Sequence, residues 1–426
     1  MYRKLNLDFS RNISSQQLQD EVVIMTAVLG IDVSSSTSMV VLMVDGTRIK
    51  DFKICNDAIG FSRLKNELNN YREPQIVFEA TGVYSRRLAF FLQTNRYSYT
   101  QLNPLQAKKE MDGLRMNKTD KNDAYHLAET QFRLDRAKTI VQDPIYSELM
   151  DQSRFYQEIV SDLVTEKNRL HRILQLTFPE IESLLSHPSG QLYWHLLIEF
   201  PISILVEEYD LNYLTNIILN LSDKNISVQR AHKIAVSLTK LASIAVPAVR
   251  GDSLVVHQVQ YHAQRLLDLQ YKQEEIVNSM ECLAKQLSEY EILCSIPGIS
   301  TTTATSLIGE IGDIRRFSSP NQVNAYIGID LRHYESGNFT ASDTISKRGN
   351  PYARKILYRS IGNIASASRT HPTHINDYYQ KKKQSSSSKG AKKIAIAAVG
   401  RLIRTIYHLV LNNETYDYTK TQHGKV

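Results

Sequence analysis

The chain has 426 residues, 42% of them apolar and 22% charged, with a formal net charge of +7. That length exceeds one compact core, so two or three domains are expected. The three cysteines (Cys55, Cys282, Cys294) are too scattered for a disulfide framework or a CxxC metal site, no apolar run approaches bilayer length, and the N-terminus lacks a signal-peptide core, so a cytoplasmic chain with no membrane partner is expected.

Residues 1–24 read as a polar extension, and the first domain is placed at 25–142. From Val22 the pattern is that of strands: "VVIMTAVLGIDVS", "SMVVLMVDG" and "RIKDFKICN", with Asp45-Gly46 as a tight hairpin signal between the last two. "FSRLKNELNNYR" has helical periodicity and ends before Pro74. "QIVFEA" is a short buried strand, "YSRRLAFFLQTN" a helix, "YSYTQLN" a strand, and "KNDAYHLAETQFRL" a helix, opened by "KTDKNDA" with its two aspartates. Three meander strands followed by αβαβα make the expected class α/β plus α, with an RNase-H-like (RuvC-like) mixed sheet.

Residues 143–290 read as a helical, coiled-coil spacer or dimerisation region, with an internally packed bundle as the alternative. Ile159, Leu163, Leu170 and Leu174 recur at coiled-coil intervals, and a second long helical run extends to Cys294. The region 291–412 is expected to be mostly helical and to contain a helix-hairpin-helix-like element at Pro297-Gly298, whose amides could hold a phosphate. "QKKKQSSSSKG" is of low complexity, and 413–426 is a tail.

Charge is unevenly spread. Residues 331–426 hold 17 Lys and Arg against 5 Asp and Glu, a surplus of +12 that leaves −5 for the rest. These cations interleave with apolar helical pattern, which makes nucleic acid the leading partner class. Lys347, Arg348, Arg354 and Lys355 are candidate phosphate clamps; the plainer reading is a solvated basic face.

Four carboxylates share a structural logic. Asp32 closes the first strand, Glu79 closes the fourth, and Asp120 and Asp123 occupy one turn of the later helix. Strand ends are where open sheets place chemistry. Four such charges together would repel one another without a counter-ion, and two Mg²⁺ ions about 3.5–4 Å apart would cancel that repulsion while stabilising attacking and leaving oxygens at phosphorus. Individually, Asp32 could cap a hairpin loop, Glu79 could pair with Arg86 or Arg87, and the two aspartates could simply favour a helix N-terminus.

The blocks "GIDVSSSTSMVVLMVDG", "FEATGVY", "NKTDKNDAYHLAE", "SIPGISTTTATSLIGEIGDIRRF" and "ESG…ISKRGNPYARKILY" together resemble the DEDD insertion-sequence transposases, which include the Piv-type DNA invertases. The resemblance implies a RuvC-like domain joined to a C-terminal transposase domain. It assigns Asp32, Glu79, Asp120 and Asp123 to magnesium, with Mn²⁺ able to substitute, and Ser336 to nucleophilic attack on DNA through a phosphoserine link. It also implies donor and target DNA as substrates, a structured bridge RNA as guide, a homodimer pairing into a tetramer on DNA, and a composite site shared between protomers. Lys118, within the most specific block, joins the candidate nucleic-acid contacts. One departure is Leu331, where relatives carry a proline shortly before the serine.

Other classes fit less well. The first strand pair also resembles the phosphate loop of sugar kinases, but the chain contains no Gly-Gly pair. A RuvC-like Holliday-junction-resolving nuclease would use the four acids without Ser336, and a non-catalytic scaffold would need none of them.

Overall fold

The computed structural model describes residues 26–111, 119–134, 136–186, 190–221, 226–332, 335–336, 339–340, 344–385 and 390–422. The expected N-terminal extension lies outside them, as do Lys118, Gly337 and most of the serine run after Gln384. Two compact units divide the chain, residues 1–141 and 142–426.

In the first unit β1 (Ala27–Val33), β2 (Thr37–Val44) and β3 (Thr47–Cys55) form an antiparallel meander. Asp45 and Gly46 both take left-handed φ, 49° and 78°, which a two-residue hairpin needs to match strand twist. Next come α1 (Ala58–Leu68), β4 (Gln75–Glu79) and α2 (Tyr84–Thr94). β5 (Thr100–Leu102), α3 (Pro104–Met111) and α4 (Asp120–Leu134) complete the unit. β4 runs parallel to β1, and β5 parallel to β4, so the sheet order is β3-β2-β1-β4-β5. The expected mixed sheet is present; α3 was not foreseen.

Alternation along β1 sorts the two faces. Ala27, Leu29, Ile31 and Val33 are buried with Leu64 and Leu68 of α1 and Leu88 and Leu92 of α2. Val28 lies on the opposite face with Val77, Ala107 of α3, and Ala124, Leu127 and Ala128 of α4. Helices therefore cover both sides, as strands apolar on both faces require.

The second unit begins with α5 (Pro144–Thr177), started by Asp143, whose side chain accepts from Ile145 N. Then come α6 (Gln191–Glu199), α7 (Ile204–Glu207), α8 (Leu211–Leu221), α9 (Val228–Ala242) and α10 (Leu254–Ala284). Leu170 and Leu174 of α5 are buried with Val259, Ala263 and Leu266 of α10 and with α6, α8 and α9. Leu170 and Leu174 are thus packed by neighbours within the chain. The second long run also stops sooner than expected: α10 ends at Ala284, and α11 (Ser288–Cys294) is separate.

A further core gathers α12 (Thr301–Ile311), α13 (Pro320–Ile327), α14 (Pro351–Ala367), α15 (His374–Gln384) and α16 (Ala391–Asn412) around the start of α5. Short strands β6 (Leu331–Arg332), β7 (Glu335–Ser336), β8 (Phe339–Thr340) and β9 (Thr344–Ile345) pair as β6-β9 and β7-β8 between α13 and α14. The expectation that no apolar run approaches bilayer length is corrected by α16. Its mean hydropathy of 1.6 over a long window would suit a span by length and composition, yet half of that window is buried. Leu402, Ile403 and Ile406 sit in this core. The expected tail also folds back, with Tyr416 N donating to Ser295 Oγ at 2.8 Å.

Candidate active site

Asp32 follows the last β1–β4 pair, Ile31 with Phe78, and Glu79 follows the same pair on β4. Side chains alternate along a strand. Asp32 therefore shares the face of Val28 and Gly30, and Glu79 that of Val77, which is the face α4 covers.

α4 runs back along this face. A Cβ on Gly30 would stand 2.1 Å from Ala124 O and 2.6 Å from Ala128 N, so helix backbone rests directly on the strand. At the other end Gln131 Nε2 donates to Gln75 Oε1 at 3.1 Å. From Gln131 back to Asp123 the helix spans about 12 Å, and from Gln75 to Glu79 the strand spans about 13 Å. The first turn of α4 consequently reaches the level of the strand ends. Asp32, Glu79 and Asp123 are half-buried there, and Asp120, one turn further out, is exposed.

Local bonds fix each piece. Thr119 caps α4, its hydroxyl accepting from Asn122 N at 3.2 Å. Lys121 Nζ binds Asp51 on β3 at 2.7 Å. That hydrogen bond, with Arg48 adding to it, holds the Asp51 carboxyl below its usual range. Thr81 Oγ1 donates to Val33 O at 3.3 Å, tying the loop after Glu79 to the end of β1. Asn56 Nδ2 donates to Ser34 O at 2.7 Å and its Oδ1 accepts from Ser38 Oγ at 2.6 Å, securing the loop after Asp32.

All four candidate donors are hard carboxylate oxygens, the type that Mg²⁺ prefers. The backbone brings their elements to one end and one face of the sheet, but the side chains do not close into a ligand shell. Among the described residues no three His, Cys, Asp or Glu side chains form a group able to hold a metal ion.

In the second unit Ser336 pairs with Phe339, which puts its backbone at the end of the β7–β8 ladder. Its side chain lies outside the described residues. Leu331 pairs with Ile345 at the base of the same loop. The segment "SKRGNPYARK" divides into two jobs. Asn350 caps α14 by accepting from Tyr352 N and Ala353 N, and its Nδ2 donates to Glu310 Oε2 at 2.7 Å. Arg154 Nε and Nη2 grip the same carboxylate at 3.1 and 3.2 Å. A Cβ on Gly349 would stand 2.1 Å from Tyr326 O. Arg354, expected to clamp phosphate, donates Nη1 to Ile327 O at 2.7 Å, so part of its guanidinium holds the fold. Lys347, Arg348 and Lys355 are exposed. At the expected hairpin between α11 and α12, Gly298 has φ 92°, and a Cβ there would stand 2.5 Å from Ile364 Cα in α14.

Residues 29–179 match the family model of DEDD-type IS110 transposases, and residues 290–380 match that described as the transposase IS116/IS110/IS902 family. The chain belongs to the IS110 transposase family. Its relatives include the transposase for insertion sequence element IS1111A of Coxiella burnetii, 29% identical over 141 residues, which are 32% of this chain and 37% of that protein. The pilin gene-inverting protein of Moraxella bovis is 25% identical over 162 residues, 37% of this chain and 47% of that protein. The chain thus spans less than half the length of these curated relatives.

Sequence reasoning missed the surface on which the IS110-type acidic helix is seated. Gly30 carries no signal by itself, but Ala124 and Ala128, four apart on α4, form the small-residue stripe that admits it. It also missed Glu310, whose place inside α12 gave no hint of a buried partner for Asn350 and Arg154.

Proposed function

We propose that the chain is an insertion-sequence recombinase that cuts and rejoins DNA strands, with Asp32, Glu79, Asp120 and Asp123 holding a pair of Mg²⁺ ions and Ser336 as nucleophile. The sheet order and its antiparallel-then-parallel pairing support an RNase-H-like, RuvC-like fold for residues 25–142. A helical spacer at 143–290 and a serine-bearing transposase domain at 291–412 complete the proposed division. The observation that carries the reading is α4 seated on Gly30, its first turn level with the ends of β1 and β4. Bound divalent cations would neutralise the carboxylates and stabilise charge on phosphate oxygens. Ser336 Oγ would displace a sugar oxygen at phosphorus, losing its proton to a base. The resulting phosphoserine ester keeps the bond energy until a sugar hydroxyl of the exchanged strand displaces serine. This needs no ATP.

The surplus of +12 over residues 331–426 supports donor and target DNA as substrates and a bridge RNA as guide. The assembly proposed is a homodimer that pairs into a tetramer on DNA, in the bacterial or archaeal cytosol. The likeness to pilin gene-inverting proteins favours a second reading, site-specific DNA inversion by the same chemistry.

Plasmids carrying the element between its natural flanks test the proposal, with excised circles and inverted segments scored by PCR. Asp123→Asn and Ser336→Ala should each abolish joined products. Ser336→Ala with undiminished joining would refute the serine role, and hydrolytic cutting alone by that variant would indicate a junction-resolving nuclease. Inversion without circles would select the second reading.

A further inference from the structure

In the second unit α5, α12 and α14 border a cleft of about 270 Å³. Its lining includes Lys355 and Arg359 from one face of α14, Gln157 from α5, and Ser300, Thr303 and Ser306 from the start of α12. Among the described residues no carboxylate lines it. Lys355 Nζ lies 3.5 Å from Gln157 Oε1, at the edge of hydrogen-bonding distance. Ser300 caps α12, its hydroxyl accepting from Thr303 N at 3.2 Å. The first-turn amides of a helix have no acceptor within that helix, and its dipole favours an anion there.

Ser306 supplies an independent indication. It is 2% exposed, it lines the cleft, and among the described residues its hydroxyl makes no hydrogen bond to protein. A hydroxyl that the protein leaves free and that opens onto the cleft can donate to a bound anion. Two cations, a helix start, spare hydroxyl capacity and no acid together describe a receptor for a tetrahedral oxyanion. The lining offers no broad aromatic platform on which bases could stack, so contact through the backbone is favoured over contact through bases.

We propose that this cleft binds a backbone phosphate of duplex DNA, with Lys355, Arg359 and Ser306 as its ligands. Lys355 was a candidate from sequence; Arg359, one helical turn further along, and Ser306 were not. The inference rests on the DNA-recombining reading above and gives it a specific docking point outside the carboxylate site.

Fluorescence anisotropy of a labelled DNA duplex with the full chain, titrated across salt, tests it. The variants are Lys355→Gln, Arg359→Gln and Ser306→Ala, with Lys272→Gln on α10, which does not line the cleft, as control and thermal melting to verify folding. Lys355→Gln and Arg359→Gln should each weaken binding about 3- to 10-fold and reduce the slope of log K against log salt by about one. Ser306→Ala should weaken binding with the slope unchanged, because it removes no charge. Lys272→Gln should alter neither. Unchanged affinity and slope in folded Arg359→Gln and Lys355→Gln overturn the site while leaving the DNA reading intact. Failure of the unmutated chain to bind duplex overturns both. Weakening for an RNA hairpin but not for duplex reassigns the phosphate to RNA and refutes the proposal as stated. Competition by inorganic phosphate that leaves duplex binding unaffected refutes it as well.

Discussion

The seat of α4 on β1 can be tested by adding one methyl group. In Gly30→Ala the new Cβ would lie 2.1 Å from Ala124 O, 2.6 Å from Ala128 N and 2.9 Å from Ala128 Cβ, where ordinary contact begins at 3.4 Å. Two of these three neighbours are helix backbone, so no rotamer change relieves the clash and α4 must retreat by about 1 Å. Displacement of that size in reacting groups can cost about 100-fold in rate. Overpacking of a core adds about 1–3 kcal/mol of instability, which melting of the first unit should show as a lowered Tm. Gly362→Ala in α14 is the control, since a Cβ there meets nothing within 4 Å. Magnesium-dependent strand cutting and joining, assayed beside thermal melting, should fall about 100-fold in Gly30→Ala and stay unchanged in Gly362→Ala. Adding Ala128→Gly should not restore activity, because the nearest obstruction is the Ala124 carbonyl. Normal activity and Tm in Gly30→Ala would refute the close seating, and with it the placement of Asp123 beside Asp32.

Glu310→Ala would remove the partner of both Arg154 and Asn350 from a fully buried position. Its cost should fall near the lower end of about 3–5 kcal/mol, as Arg154 keeps partial access to water; chemical denaturation measures this, and a loss below about 1 kcal/mol would contradict the network's role. His374 is pushed down to about 4, chiefly by burial and also by Arg401, with Asp377 opposing. The unfolded chain therefore takes up this proton more readily, and stability should fall as pH drops from about 6.5 towards 4. Melting across that range should show a shallower decline in His374→Gln. Chelation of divalent cations should stop recombination, and restoring Mg²⁺ or Mn²⁺ should return it; full activity in a chelator would mean that the carboxylates serve another purpose.

The strands around Asp32 and Glu79 were legible because short apolar runs with a two-residue Asp-Gly turn leave few alternatives. The N-terminus of α4 was legible from its two aspartates, while its Thr119 cap was not read from sequence. What joins them was not, since Gly30 and Ala124 are far apart in sequence and neither is chemically distinctive. The separation of "SKRGNPYARK" into fold-holding and exposed cations was equally hidden. It depends on Ile327 O and Glu310 arriving from other helices, which composition and periodicity do not report. α16 was legible as a helix mixing cations with apolar side chains, but its apolar length passed unnoticed because Arg401 and Arg404 interrupt a stretch whose remaining side chains fill the core.

Binding of Mn²⁺ to the intact chain, followed by electron paramagnetic resonance, reaches the central claim most directly. The unmutated protein should sequester Mn²⁺ with a spectrum of oxygen ligation, displaced by excess Mg²⁺, while Asp32→Asn and Asp123→Asn, though folded, should each lose that signal. Equal Mn²⁺ uptake by all three proteins would contradict a cation site built from the ends of β1 and β4 and the first turn of α4.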